Sequence, residues 1–330
     1  MREVVKKKLA IWGYGSHTRR NVIPAASQCT SIELSVVCSR QRLGTIVQNT
    51  ANQDIRCVDV DELLCGDADL IYVCTPTGLH YEHCRMALLR GKNVLCEKSL
   101  TNDAKHSVEL LSLAKEKGLF LSEAFMYCFH PRTIEARRIV RAGELGSIRS
   151  ITCEFGIPKL EEPGFRNDHT LGGSAFWDLA CYLVSLVNEL MPNIPEVVGT
   201  VTQDPARSTT GVDLGGAALL RFAPGIPAFL NWGYETTYRN RLEIWGDRGS
   251  LRVDRIFSKG GPPEFIERVD SSGRVSQVGT KSADAFVNML DHIGSNLGSS
   301  DFRDAAWRTA SRQALVMHSI WEKMYSNRGT

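Results

Sequence analysis

Residues 93–101 read "NVLCEKSLT", an apolar strand-like run that breaks into Glu97-Lys98 at its carboxyl end, where a simple turn would serve. Charged residues also follow strands as plain solvated turns, so residue type alone leaves both readings open. In the functional one, Glu97 holds the ribose next to a nicotinamide and Lys98 faces the oxygen of the reacting carbon. An ammonium beside an oxidised nicotinamide and partly desolvated has its charged form disfavoured, which makes it a usable acid or base.

The elements around this pair support that placement. Apolar runs at 8–12, 33–38, 56–58, 69–74, 93–96 and 119–121 alternate with helical patterns at 19–28, 41–50, 60–64, 81–90 and 103–117. Such alternation predicts a doubly wound parallel sheet of the Rossmann type, whose ligands bind outside the carboxyl ends of the strands. The pattern then changes. Helices near 131–142 and 174–190 and closely spaced strands at 148–155, 196–203, 217–222, 227–233, 240–245 and 249–253 predict an α+β domain with an open, mostly antiparallel sheet. Helices at 282–297 and 303–325 close the chain. The expected division is 1–124 for dinucleotide binding and 125–330 for substrate binding and oligomerisation, with a C-terminal helix able to pack back on the first domain.

"IWGYGSHTRR" (11–20) follows the first strand and opens the first helix. Gly13 permits a tight turn and Gly15 lets the backbone approach a pyrophosphate at the helix start, with Tyr14, Ser16 and His17 lining the same cradle. Thr18 stands where G-x-G-x-x-G has its third glycine, so the fingerprint is incomplete. After the second strand come Ser39 and Arg40, with Arg42 close behind, in place of the acid that usually meets the ribose 2′-hydroxyl of NAD. A hydroxyl and a guanidinium suit a 2′-phosphate, so NADP is expected ahead of NAD, although Arg40 can also be read as a solvated loop residue. The fourth predicted strand ends in "CTPTGLH", which places Thr75, Pro76 and His80 along the cofactor groove; His80 can also be no more than a helix-start residue.

Composition excludes several classes. A net charge of +2 gives no field suited to nucleic acid or an anionic membrane. The opening "MREVVKKK" leads to too short an apolar run for a signal peptide, and the ~20 apolar residues of a membrane span are not approached. The ten cysteines contain no C-x-x-C pair, and several fall in predicted strands, which suits reduced thiols in a cytoplasmic protein. His80, His83 and Cys84 form the one cluster resembling metal ligands; without a second cluster, no metal is expected.

"EKSL", with "GYG", "TPTGLHYEHCRMALLRGKNVLCEKSL", "SEAFMYCFHPR", "GELGSIRSI" and "GGSAFWDLACY" in that order, resembles the glucose–fructose oxidoreductase / inositol dehydrogenase (Gfo/Idh/MocA) family over nearly the whole chain. The departures are Thr18 and Ser99, where proline is usual. The resemblance implies a helical Asp followed four residues later by His or Tyr, here Asp178 and Tyr182, a spacing that puts both on one face. Packing of Tyr182 with Leu179 and Leu183 in the core is the competing reading. As a proton donor, Tyr182 would need Lys98 near its anion.

"CSR", "FGIP", "FRNDHTLGGSAFWD" and "YETTYRNRLEIWGDRGSLRVDRIF" are similar to the NADPH-dependent nucleotide-sugar 3-ketoreductases of that family, and that likeness assigns Arg166 and Tyr182 to substrate. The implied activity is hydride transfer between nicotinamide and a ring carbon of a sugar, reducing a keto group on a nucleotide-linked sugar. Tyr182 would move the proton, Lys98 polarise the oxygen, and Asp178 and Arg166 orient the substrate. Free-sugar or trans-dihydrodiol dehydrogenation is the second enzymatic reading, and a non-catalytic dinucleotide sensor the reading of another class. A homo-oligomer, dimer or tetramer, is expected.

Overall fold

In the computed structural model, which describes residues 6–39, 46–48, 54–203 and 211–326, the first apolar run becomes the central strand of a seven-stranded sheet. The strands are β1 (Lys7–Trp12), β2 (Ile32–Cys38), β3 (Ile46–Gln48), β4 (Asp54–Val58), β5 (Leu70–Val73), β6 (Asn93–Cys96) and β7 (Leu121–Glu123), in the order β3-β4-β2-β1-β5-β6-β7. All neighbours pair parallel except β3 with β4. Strands covered on both faces need successive apolar residues rather than alternating ones; Leu9, Ala10 and Ile11 of β1 and all four residues of β5 are fully buried. The chain leaves β1 toward β2 on one side and reaches β5 on the other, so the reversal of strand order that opens a ligand crevice falls at the end of β1.

The helices of this unit are α1 (Ile23–Ala26), preceded by a π-helical turn at Thr18–Val22, then α2 (Val60–Cys65), α3 (His80–Leu89) and α4 (Ala104–Glu116). Asp103 caps α4 by accepting the Lys105 N–H. Two expectations are corrected. Residues 46–48 of the predicted 41–50 helix form a strand, because Ile46 and Val47 suit edge pairing with β4; 40–45 and 49–53 lie outside the described residues. The first unit comprises Met1–Met126 together with Asp284–Ser311, a segment the sequence reading counts within 125–330 while allowing a C-terminal helix to pack back on the first domain. The reason is α7 (Ala285–Asn296), whose Asp291 accepts the Thr30 and Ser31 N–H groups at 2.8 and 2.9 Å.

The second unit, Tyr127–Ala283 with Arg312–Thr330, holds an eight-stranded sheet. Its strands are β8 (Ile148–Gly156), β9 (Glu196–Thr202), β10 (Gly215–Phe222), β11 (Ile226–Gly233), β12 (Arg239–Gly246), β13 (Gly249–Asp254), β14 (Phe265–Asp270) and β15 (Val275–Gly279), ordered β15-β14-β13-β12-β8-β11-β10-β9. Only β8 and β11 pair parallel. β14 and β15 were not anticipated: they are polar, and a tight turn makes them, with Asp270 accepting the Ser272 and Arg274 N–H groups. One face of the sheet buries Cys153, Leu230, Trp232, Leu242 and Ile244. Along the other, Phe229, Trp245 and Val201 are 47%, 61% and 71% exposed.

Helix α5 (Pro131–Arg141) precedes this sheet, and α6 (Cys181–Leu190) follows a π-helical turn at Phe176–Ala180. Leu183, Val184, Leu186 and Val187 of α6 are completely buried, each contributing about 1.5–3 kcal/mol relative to exposure. The stretch His169–Leu190 is long and apolar enough to cross a membrane by length and composition, but 83% of its most apolar window is buried inside the protein, as in a core helix. Helix α8 (Ser300–Ser326) begins in the first unit and ends in the second. All ten cysteines carry thiols rather than disulfides.

Candidate active site

The glycine turn is built as a nucleotide turn requires. Gly13 has φ +117°, and a Cβ there would lie 2.8 Å from the Cys74 carbonyl oxygen at the end of β5, so only glycine fits. Gly15 is the opposite case. Among the described residues a Cβ on it would meet nothing within 4 Å, leaving the open approach that a cofactor pyrophosphate needs. Thr18, in place of the third glycine, is fully buried, and its hydroxyl donates to the Gly13 carbonyl at 2.9 Å. The departure from the fingerprint thus closes the turn with a hydrogen bond. Tyr14 is half-buried, Ser16 and His17 are exposed, and Ser39 is half-buried just beyond β2; Arg40 lies outside the described residues.

Glu97 and Lys98 sit at the carboxyl tip of β6, along the same sheet edge, both half-buried. Glu97 Oε1 accepts from the Tyr72 hydroxyl at 2.5 Å and meets His17 Nε2 at 3.0 Å. His17 Nδ1 lies 3.3 Å from the Asn21 amide nitrogen, an assignment that puts the ring proton on Nε2, toward the acid. Burial pushes the Glu97 carboxyl upward, but His17, the Tyr72 hydroxyl and the Lys98 charge outweigh it and hold the pKa at about 2. Glu97 is therefore an ionised acceptor, the form a ribose hydroxyl needs. The peptide between Lys98 and Ser99 is cis.

Thr75 and Pro76 are half-buried at the end of β5, and the Thr75 hydroxyl lies 2.9 Å from His83 Nδ1. His80 is corrected. At 1% exposure it is buried, and its ring nitrogens lie 2.8 Å from the Ser99 and Thr75 carbonyls, so it cannot line the groove. Burial lowers its pKa while the two carbonyls, which ask for a proton on each nitrogen, pull it back. Of the other two residues of the His80, His83 and Cys84 cluster, His83 stacks on Trp12 with ring centroids 4.2 Å apart, and Cys84 is buried.

In the second unit, Asp178 lies in the π-helical turn and Tyr182 one turn on, in α6. The Asp178 side chain is 5% exposed; its Oδ2 accepts from Arg166 Nε at 2.7 Å and from the Tyr234 hydroxyl at 2.9 Å. Arg166 comes from a 3₁₀ turn, Gly164–Asn167, that reaches the helix because residue 173 is glycine: a Cβ there would come within 2.5 Å of the Arg166 carbonyl oxygen. The Asp178 charge raises the Arg166 pKa against the opposing effect of burial; for Tyr234, burial first and then Asp178 push the phenol well above its usual value. Tyr234 thus stays a donor to the acid. The Tyr182 ring is half-buried among Tyr127, Phe155 and Phe257, with centroids 5.3–5.7 Å away, rather than sealed in the aliphatic core.

Two residues of this arrangement escaped the sequence reading. Tyr234 stands there only as the first residue of a stretch quoted for its likeness to the 3-ketoreductases, with no role of its own. Asp213, buried, caps the helix start by accepting the Phe176 N–H at 2.9 Å, and burial raises its pKa. Both act across more than 35 positions of sequence, and no local spacing marks them.

The family model described as an oxidoreductase family with an NAD-binding Rossmann fold (GFO_IDH_MocA) matches residues 7–125, and the GFO/IDH/MocA C-terminal domain matches 133–252. This chain belongs to the Gfo/Idh/MocA family of oxidoreductases. It is 31% identical over 84% of its length, and 83% of the relative's, to a dTDP-3,4-didehydro-2,6-dideoxy-alpha-D-glucose 3-reductase of Saccharopolyspora spinosa. A D-xylose 1-dehydrogenase (NADP(+)) of Haloferax volcanii is also 31% identical, over 72% of this chain and 73% of its own. Among solved structures, a 3-ketoreductase from Actinomadura kijaniata in complex with NADP and TDP-benzene superposes with a TM-score of 0.86 at 26% identity, covering 97% of this chain and 98% of that one. The same ketoreductase has been solved with a lysine replaced by alanine or glutamate and with a tyrosine replaced by phenylalanine.

Proposed function

We propose that this Gfo/Idh/MocA oxidoreductase reduces a keto group on a ring carbon of a nucleotide-linked sugar with NADPH. The observation that carries the reading is the ionised Glu97 beside Lys98 at the sheet edge where the glycine turn lies, in a chain so similar to nucleotide-sugar 3-reductases. The Gly13–Gly15 turn with Tyr14, Ser16 and His17, together with Ser39, Thr75, Pro76 and Glu97, would hold the dinucleotide, and Arg40 would meet a 2′-phosphate. The open space beside Gly15 fits that group. When bound, NADPH supplies a hydride to the carbonyl carbon.

The chain's own groups handle the oxygen. Lys98 polarises it and stabilises the charge that develops there, while Tyr182 delivers the proton, giving the alcohol. Arg166, locked by Asp178, presents a cation to the substrate, and Asp178 acts by holding that cation and the Tyr234 hydroxyl. The solved lysine and tyrosine variants of the Actinomadura enzyme lend weight to these two residue types as the working pair. The thiols agree with a reducing cytoplasm, and the exposed Phe229, Trp245 and Val201 agree with self-association through the open sheet face.

The test is steady-state reduction of a dTDP-linked keto sugar by NADPH, with NADH and D-xylose as comparison arms. Tyr182→Phe and Lys98→Met are each expected to lower kcat by about 100-fold or more. Near wild-type kcat in both variants removes the assigned roles. Faster oxidation of D-xylose than reduction of the keto sugar transfers the case to the free-sugar reading, which the Haloferax relative favours. Dinucleotide binding without turnover on any substrate leaves a sensor.

A further inference from the structure

Two titratable side chains that the proposed chemistry does not use, His80 buried and Glu123 half-buried, meet on a single peptide unit. That unit joins Ser99 to Leu100, one residue beyond Lys98. His80 Nδ1 lies 2.8 Å from its carbonyl oxygen, and Glu123 Oε1 accepts its N–H at 2.8 Å. His80 begins α3 and Glu123 ends β7, so the two come to the loop from separate elements. The other His80 nitrogen, 2.8 Å from the Thr75 carbonyl, ties the same loop to the end of β5.

A peptide unit is planar, and it turns as a plate about its flanking single bonds. Hydrogen bonds on its C=O and on its N–H, made by side chains of different elements, remove that freedom. The loop that carries Lys98 then has one orientation, and the amine at the end of its flexible stem starts from a set position. A displacement of about 1 Å at a reacting group costs on the order of 100-fold in rate, so such anchoring has a kinetic consequence. Glu123 is a costly choice for mere filler, since burial pushes its carboxyl up to about 7.

We propose that His80 and Glu123 are positioning residues that clamp the Ser99–Leu100 peptide and thereby set the reach of Lys98. The proposal rests on the reading that gives Lys98 its role at the carbonyl oxygen.

The experiment uses matched pairs of substitutions in the full chain. An Asn amide nitrogen falls about where imidazole Nδ1 is, and a Gln amide nitrogen about where Nε2 is. His80→Asn therefore keeps the donor to Ser99, and His80→Gln keeps only the bond to Thr75. Likewise Glu123→Gln keeps an acceptor for the Leu100 N–H, and Glu123→Ala removes it. With NADPH and a dTDP-linked keto sugar, His80→Gln and Glu123→Ala are expected to lose about 10- to 100-fold in kcat. The Kd for NADPH should be unchanged, and His80→Asn and Glu123→Gln should stay within about 3-fold of wild type in kcat. A purely structural role would lower Tm in both histidine variants without separating their kcat values. Equal kcat within each pair overturns the proposal, as does a loss that falls on cofactor Kd. If one pair does not fold, the other decides. Lys98→Met is run alongside: if it keeps kcat, the assigned chemistry fails, whereas if it collapses while all four clamp variants keep kcat, only the clamp fails.

Discussion

Each unit of the molecule buries a carboxylate against a tyrosine hydroxyl and a basic side chain, and the two differ in which base they use. Glu97 has Tyr72 at 2.5 Å and His17 at 3.0 Å. Asp178 has Tyr234 at 2.9 Å and Arg166 at 2.7 Å. The histidine side chain is 43% exposed and the arginine side chain 32% exposed, and a guanidinium always carries its charge. Glu97 is therefore held by a solvent-facing partner at the sheet edge where the proposed function puts the cofactor. Asp178 is held by a permanent one, as part of the frame. Glu123 supplies the contrast to both: its side chain accepts the Leu100 N–H with no cation among the described residues paired to it, and burial takes its pKa up to about 7.

The largest effect should come from stripping the permanent partner. Arg166→Met leaves Asp178 buried without its cationic partner, which usually costs about 3–5 kcal/mol; with the guanidinium partly in water and the Tyr234 hydroxyl still donating to the acid, a loss of about 2–3 kcal/mol in chemical denaturation is expected. A loss under about 0.5 kcal/mol would erase the distinction between frame and edge.

Glu123 comes next. Its folded pKa is raised, so the proton it keeps stabilises the fold fully below the unfolded value of about 4.5, and that stability is lost as pH rises through about 7. Wild type should weaken across that window with a slope of up to about 1.4 kcal/mol per pH unit from this group. Glu123→Gln should flatten the curve, as read by Tm in steps from pH 4.5 to 8; an unchanged slope would mean that burial does not control this acid.

The smallest effect belongs to His17→Ala, about 0.5–1 kcal/mol. The depressed Glu97 pKa contributes stability that is complete above about 4.5 and disappears as pH falls through about 2. Without His17, that disappearance should begin at higher pH in an acid titration followed by circular dichroism. An unmoved acid limb would assign the depression to Tyr72 and Lys98 alone.

How much of this was legible in the sequence depended on the range over which each feature is specified. The Gly13 turn and the Glu97-Lys98 break at the end of β6 are local, and residue type and position reveal them, whereas Asp178 and Tyr182 were singled out by the family resemblance, their spacing adding only that both share one helical face. Most of the strands were likewise read locally, from apolar runs bounded by turn residues. The Asp213 cap, the Tyr234 hydroxyl and the grip of His80 and Glu123 on the Ser99–Leu100 peptide join residues 19 to 56 positions apart. Nothing in a linear pattern announces them. His80 misled for a related reason: its place beyond a strand end suggested the groove, but a helix-start residue can turn inward when backbone carbonyls wait for it. β14 and β15 were missed because "FIERVD" and "VSQVG" carry too few apolar residues to signal strands without the neighbour that pairs them. The assignment of 284–311 to the first unit likewise depends on Asp291 finding Ser31 across 260 positions.

The two glycines of the first turn carry unequal burdens. At Gly13 any side chain collides with the chain's own carbonyl, so the protein polices that position each time it folds. At Gly15 the space is open, and a methyl group would meet nothing within 4 Å among the described residues beyond its chain neighbours. Drift there is invisible to quality control in the cell, and its penalty falls due only when the dinucleotide comes to dock.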